Sequence, residues 1–560
     1  MASKMIELDS ASLGSHLTGI ESNGIAHFRG IPYASIARRW THSRVLDTID
    51  TPTFDATAFG PRSPVPPRTS VIWSDDPPNG TVLPPADELR CLNLNISLPT
   101  GALSCNGTQE AKSLLPVIVW IHGGAFYFGA NSTARQDHDR LCRRAEQAGH
   151  PVILVSINYR LGPLGYAASS DLASEASPAS SWPGLAASGD DYSAIVGSFG
   201  QVDQHNAFRW VQAHIRDFGG NPDRVTAAGV SAGAASIHYH ILSGNPLFDR
   251  AILMSGAAGV LGPLPSSEYE RAWKALLLAT GVSQDTSNPG PAPPTIPSTS
   301  DTPARRLKAL RALPADKIVA LYPRQIAMGP SADGCLLPKK WSHQKISDVV
   351  STRCRAIIVG DSQDESIIMV PLIQATVPAD FYSRARAFFS PPEVAEGFLE
   401  AFGFHPGQLA ADFHDAYRVF LSAVMFQHPA LGLAASFNGD SFYYHVDEPS
   451  PYPGLTSGRA AHALCSMLLF QNDIDTYPRA TRALAEKMAG TWTAFAHGIA
   501  PWELFKASRR FWLFGPAGIC ALTDFTSDKQ RPYGYQGWLE ENYDQTVAFC
   551  RGIFSEDWGR

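Results

Sequence analysis

The chain has 560 residues, 44% of them hydrophobic and 17% charged, with a formal net charge of −7. That composition suits a large globular protein with a deep core and excludes a disordered or fibrous one. The acidic balance disfavours nucleic acid as a partner, and no unbroken apolar run approaches the ~18–20 residues of a transmembrane segment.

Met1 to Ser10 lacks the continuous apolar core of a secretory signal, so a cytoplasmic location is expected. Phe28 to Ala34 forms a compact strand-and-turn block, and residues 61–85, rich in Pro and Ser, read as a surface excursion. Cys91 to Leu98 alternates apolar and polar residues, the pattern of a half-buried strand. Pro116 to Ile121 is unbroken apolar, a strand covered on both faces, and ends in the loop His122-Gly123-Gly124-Ala125. A second such strand spans Pro151 to Tyr159 after a helical stretch. Residues 167–190, crowded with Ala and Ser, read as a loop insertion. Gln204 to Asp217 has helical spacing, with Phe208, Val211 and Ile215 on one side, and Phe218 to Pro222 stops it. Further strands are expected at Ala251–Ser255, Cys354–Gly360 and Ser441–Val446, and residues 284–304 form a low-complexity loop. Strands alternating with helices specify an α/β class: a mostly parallel sheet with helices on both faces. There is no internal repeat, and the pattern is read as one elaborated domain over 1–560.

The rest is arranged around Val225 to Ser236, in which Gly229-Val230-Ser231-Ala232-Gly233 joins an apolar strand to a run of small residues. Such a G-x-S-x-G pattern builds a sharp strand-to-helix turn with the serine at its apex and at a helix N-terminus. A serine hydroxyl needs a base to take its proton and a third group to orient that base. In this architecture the order is serine, acid, histidine. Gly360-Asp-Ser-Gln-Asp-Glu365 follows a later strand, and His462 lies beyond the strand at 441–446. Backbone N–H groups for an oxyanion are offered by the 123–125 loop and by Ala232. His445, inside a strand pattern, reads as structural. His122 reads as a loop-orienting group, and Asp203 as a structural residue at a helix start.

Eight cysteines stand at positions 91, 105, 142, 335, 354, 465, 520 and 550, none in a Cys-x-x-Cys pair, which argues against a zinc cluster. A Cys91–Cys105 bridge stays open, but reduced thiols fit better with the missing signal. Asn79, Asn95, Asn106 and Asn131 each head an Asn-x-Ser/Thr triplet, a chance match outside the secretory route.

In order along the chain stand Gly30-Ile-Pro-Tyr-Ala34, Trp120-Ile-His-Gly-Gly-Ala-Phe126, Asn158-Tyr-Arg-Leu-Gly162, Asp203-Gln204, Phe218-Gly-Gly-Asn-Pro222, the serine turn and Trp492-Thr-Ala-Phe495. Over nearly its whole length the chain resembles the type-B carboxylesterases, the family of the cholinesterases and many fungal esterases and lipases. The resemblance implies an α/β-hydrolase fold acting on carboxylic esters, with 167–190 and 284–304 as insertions. It makes Ser231 the nucleophile, Glu365 of the Asp364-Glu365 pair the acid, and His462 the base. It places the oxyanion donors on Gly124, Ala125 and Ala232, and it implies no metal or organic cofactor. If Glu365 is not the acid, Asp364 is the substitute.

Three departures stand out. Val230 and Cys465 occupy positions where the family usually carries glutamates of one buried network, and Ser366 stands where glycine is usual. Losing both acids together avoids a lone buried carboxylate. Val230 and Cys465 are therefore expected to meet in a dry contact, and neutral esters are expected over choline esters. Acyl transfer or lactone opening on the same acyl-enzyme, and a non-catalytic binding module, are the alternative readings.

Overall fold

The structure is a computed structural model. It describes residues 4–67, 83–105, 114–175, 196–259, 262–264, 266–283, 301–323, 328–331, 337, 353–529 and 531–557. Most of the two expected insertions, Cys335, Asn79 and Asn106 lie outside these.

The apolar runs become strands, numbered here in chain order: β1 Lys4–Ser10, β2 Ser15–Ser22, β3 Ile25–Pro32, β4 Asn93–Pro99, β5 Leu115–Ile121, β6 Ile153–Ile157, β7 Gly220–Val230, β8 Arg250–Met254, β9 Ala356–Ser362, β10 Asp440–Val446, β11 Phe511–Phe514 and β12 Cys520–Thr523. They form one sheet in the order β1-β2-β3-β4-β6-β5-β7-β8-β9-β10-β11-β12, with Thr53–Asp55 pairing on β2 as a branch. From β6 through β11 every neighbouring pair is parallel. Antiparallel pairing is confined to the β1–β4 side and to β12.

Because side chains alternate along a strand, each central strand feeds two cores. Val117, Val119, Ala227, Leu253 and Val359 enter one, and Ile118, Trp120, Ala228, Ile252 and Ile358 enter the other. The helices used below are α1 Asp139–Gln147, α2 Phe199–His214, α3 Ala232–Leu242, α4 Ala410–Ser422, α5 His428–Ser436, α6 Leu464–Phe470, α7 Arg479–Ala496 and α8 Gln536–Asp557. The first core is closed by α2 and α3, the second by α1, α6 and α7.

A third core stands apart from the sheet. Phe381, Phe389, Phe398, Phe413, Phe420 and Phe549 interlock there between α4, α8 and the helices Pro378–Phe388 and Pro392–Ala401. Stacked rings such as Phe389 and Phe398 lie 4.5 Å apart. The helix α4 runs through a π-helical turn, Ala423–Gln427, straight into α5. That run, Ala410–Ser436, has the length and apolar composition to cross a membrane, a feature not expected from the sequence. Asp412, Asp415 and Arg418 interrupt its apolar pattern. Its mostly buried state is that of a helix inside a folded core.

Three expectations need correction. β4 is buried on both faces, not half-buried: Leu94, Ile96 and Leu98 enter the first core, and its polar face lies against Asn131, His138 and Cys142. Its polar residues are bonded inward: Asn93 donates to the Pro61 carbonyl at 2.7 Å and Asn95 to that of Asn131 at 3.0 Å. The helix expected at 204–217 begins at Phe199 and ends at His214, followed by a 3₁₀ turn, Ile215–Phe218. Asp203 therefore lies within α2 and caps nothing. It is fully buried against Arg160, which donates from Nε and Nη2 at 2.8 and 2.7 Å.

Candidate active site

Ser231 follows the last residue of β7 and precedes α3, with φ 57° and ψ −123°. Few non-glycine residues adopt such angles, and the surrounding structure has to hold them. Its N–H donates to the Met254 carbonyl at 2.9 Å, tying the apex to β8. The flanking glycines are dictated by close approach. A Cβ on Gly233 would stand 2.0 Å from the Ile121 carbonyl oxygen, and one on Gly229 would stand 2.8 Å from the Gly233 carbonyl carbon.

The loop after β5 holds Gly124 and Ala125, for which an oxyanion role is expected. Gly124 and Ala125 both have positive φ, and the Gly124 carbonyl accepts from the N–H groups of Tyr127 and Phe128, each at 2.9 Å. Among the described residues the N–H groups of Gly124 and Ala125 donate to no acceptor, and Ala232 supplies the first amide of α3. His122 does what its position suggests. It donates Nδ1–H to the Gly123 carbonyl at 2.9 Å and stacks on Tyr159 at 4.6 Å. Burial lowers its pKa to about 4, so it stays neutral at pH 7.

Glu365 opens a 3₁₀ turn three residues beyond β9 and is completely buried. One carboxylate oxygen accepts from the Ser362 N–H at 2.6 Å, and the other accepts from His462 Nδ1–H in a short bond across 97 residues. His462 sits on the loop between β10 and α6, its own N–H donating to the Asp364 carbonyl at 3.1 Å. The structure thus brings Glu365 and His462 together. It turns the Asp364 carboxylate elsewhere, toward Arg418 at 3.2 Å and Arg459 at 3.1 Å. Ser366 fits where glycine was usual because its hydroxyl donates to Asp364 and its N–H to Ser422, both at 3.0 Å.

Val230 and Cys465 belong to one buried cluster. The Cys465 thiol meets the Ser255 hydroxyl at 3.5 Å, so its surroundings are not wholly apolar. Burial pushes that thiol up to about 12. Cys91, expected as a thiol or a half-disulfide, is a free buried thiol. His445 is held within β10 by Asp361 at 2.9 Å, in a buried group with Arg531 and Asp447.

Two neighbours of the site were not legible beforehand. The Phe426 ring lies 4.9 Å from the His462 ring, and Gln427 reaches the turn that carries Glu365. Both belong to the π turn, whose extra residue no local pattern announces.

The carboxylesterase family model matches residues 9–177 and 184–512. Lipase 1 of Yarrowia lipolytica is 33% identical over 234 residues, 42% of this chain and 41% of that protein. Pyrethroid hydrolase Ces2a of Mus musculus is 32% identical over 370 residues, 63% of this chain and 56% of that one. These two matches span about half the length of the relatives concerned. Para-nitrobenzyl esterase of Bacillus subtilis is 25% identical over 541 residues, 92% of this chain and 96% of that protein. A solved PNB esterase superposes with a TM-score of 0.70 at 22% identity, over 97% of this chain and 99% of its own. With the family model matched over most of its length, the chain belongs to the carboxylesterase family.

Proposed function

We propose that this chain hydrolyses neutral carboxylic esters through an acyl-enzyme on Ser231. The observation that carries the reading is the fully buried Glu365 bonded to His462, with Glu365 and Ser231, in its strained turn, both beyond the C-terminal ends of parallel strands at the centre of the sheet. With Nδ1–H committed to Glu365, Nε2 of His462 is the base that takes the Ser231 proton as Oγ attacks the ester carbonyl. The developing oxyanion accepts from the N–H groups of Gly124, Ala125 and Ala232. The alcohol leaves with the proton from His462, and water, deprotonated by the same imidazole, then cleaves the acyl-enzyme.

The preference for neutral esters rests on Val230 and Cys465, which supply no carboxylate behind the site to attract a cation. The test is stopped-flow hydrolysis of p-nitrophenyl acetate, butyrate and octanoate. A burst of p-nitrophenol equal to the enzyme concentration marks the acyl-enzyme, and the chain-length profile sizes the acyl pocket. Absence of turnover on all three esters by the folded protein contradicts the proposal. So does a large preference for butyrylcholine over a neutral butyrate ester.

A further inference from the structure

The turn Ser362 to Glu365 carries the acid, and its two sides are held by different parts of the chain. On one side stand backbone partners: Gln363 N–H donates to the Val446 carbonyl at 3.0 Å and Asp364 N–H to that of Ala460 at 2.9 Å. On the other side stand side chains: Arg418 and Arg459 hold the Asp364 carboxylate, and Gln427 reaches the carbonyls that open the turn. Gln427 directs Nε2 at the carbonyls of Ser362, 3.4 Å, and Gln363, 3.2 Å. Its Oε1 accepts from the Tyr535 hydroxyl at 2.7 Å. A donor on the amide oxygen and two acceptors on the amide nitrogen leave only one orientation for the group.

Tyr535 is itself fixed. Four residues earlier, Arg531 is buried between Asp361, at the end of β9, and Asp447, to which it donates at 2.9 and 2.6 Å. Eight residues later, the Tyr543 hydroxyl donates to the Val424 carbonyl of the π turn at 2.8 Å. The segment after β12 is thus anchored on both sides of Tyr535. Ser362, whose N–H holds one Glu365 oxygen, is the residue whose carbonyl Gln427 grips. A rotation of this turn would swing the carboxylate away from His462.

We propose that Gln427, oriented by Tyr535, is a positioning residue for the Glu365 carboxylate. The C-terminal segment therefore takes part in aligning the catalytic acid. The inference rests on the proposed role of Glu365.

The experiment compares Gln427→Met, Tyr535→Phe and Glu365→Gln, alone and combined, in the full chain, using p-nitrophenyl butyrate and thermal unfolding. Tyr535→Phe removes one hydroxyl and keeps the ring, so it guards against a folding failure in Gln427→Met. Both single variants should lower kcat by ~5–50-fold with KM within about twofold, a loss confined to the chemical step. Added to Glu365→Gln, each should cost less than about twofold more, because the group they position is gone. A merely structural role would instead lower activity equally in both backgrounds, and that result overturns the proposal. Wild-type kcat in both variants while Glu365→Gln is inactive overturns it as well. Wild-type kcat in Glu365→Gln itself removes the acid assignment, and the positioning role falls with it.

Discussion

Gly123→Ala puts the loop and the serine turn in direct conflict. Gly123 has no positive φ, so alanine meets no backbone penalty, and any effect comes from contact alone. Its Cβ would stand 2.7 Å from the Val230 carbonyl oxygen and 2.9 Å from Ser231 Cβ. Neither atom is the free end of a flexible side chain. Carbon makes unstrained contacts from about 3.5 Å, so the loop must retreat by roughly 0.6–0.8 Å. Oxyanion donors work over about 2.7–3.1 Å, so a retreat of that size takes Gly124 and Ala125 out of range. Losing one such donor costs about 10²–10³-fold in kcat, or about 2.7–4 kcal/mol. We expect kcat on p-nitrophenyl butyrate to fall by about 10²-fold, with KM changed by less than about threefold. Gly432→Ala in α5 is the matched control, since its Cβ meets nothing within 4 Å. It should keep full activity and gain up to about 1 kcal/mol in stability. A kcat for Gly123→Ala within about threefold of wild type would show that the loop does not need this close approach to the serine turn.

Arg160→Met leaves Asp203 buried without its ion pair and should cost about 3–5 kcal/mol in chemical denaturation; a loss under about 1 kcal/mol would contradict the arrangement. Burial holds the pKa values of His122, His138 and His428 at about 4, and those of His205 and His238 at about 3. The unfolded chain binds these protons below about pH 6.5 and the folded chain does not. Stability should therefore fall from pH 7 to pH 5, each histidine adding up to about 1.4 kcal/mol per pH unit. A melting temperature flat across that window would show that the rings are not buried neutral. Asn95 and Asn131 are buried and hydrogen-bonded, so expression in a glycosylating host should leave both unmodified, as peptide mass spectrometry would read.

The central strands were legible because runs such as Pro116–Ile121 and Ile153–Ile157 must be covered on both faces. The serine turn was legible because Gly229 and Gly233 stand in a local strand-to-helix pattern, although the atom that forces Gly233 is the Ile121 carbonyl oxygen on a distant strand. Glu365 and His462 could be named by chain order and resemblance, but their bond spans 97 residues and only the fold displays it. β4 misled because Asn93, Asn95 and Ser97 look solvent-facing, yet each has a partner inside. Phe426, Gln427 and Tyr535 gave no sign at all. Their positions depend on how α8 packs against the π turn, a contact between distant segments with no periodic signature.

The most direct test is Ser231→Ala, assayed for p-nitrophenyl butyrate turnover and for labelling by a fluorophosphonate probe mapped to the peptide. Turnover should fall by at least ~10³-fold with unchanged folding, and the wild type should carry a label on Ser231 that the variant lacks. Turnover retained within about tenfold, or a label on another residue, would contradict the role of Ser231 as nucleophile.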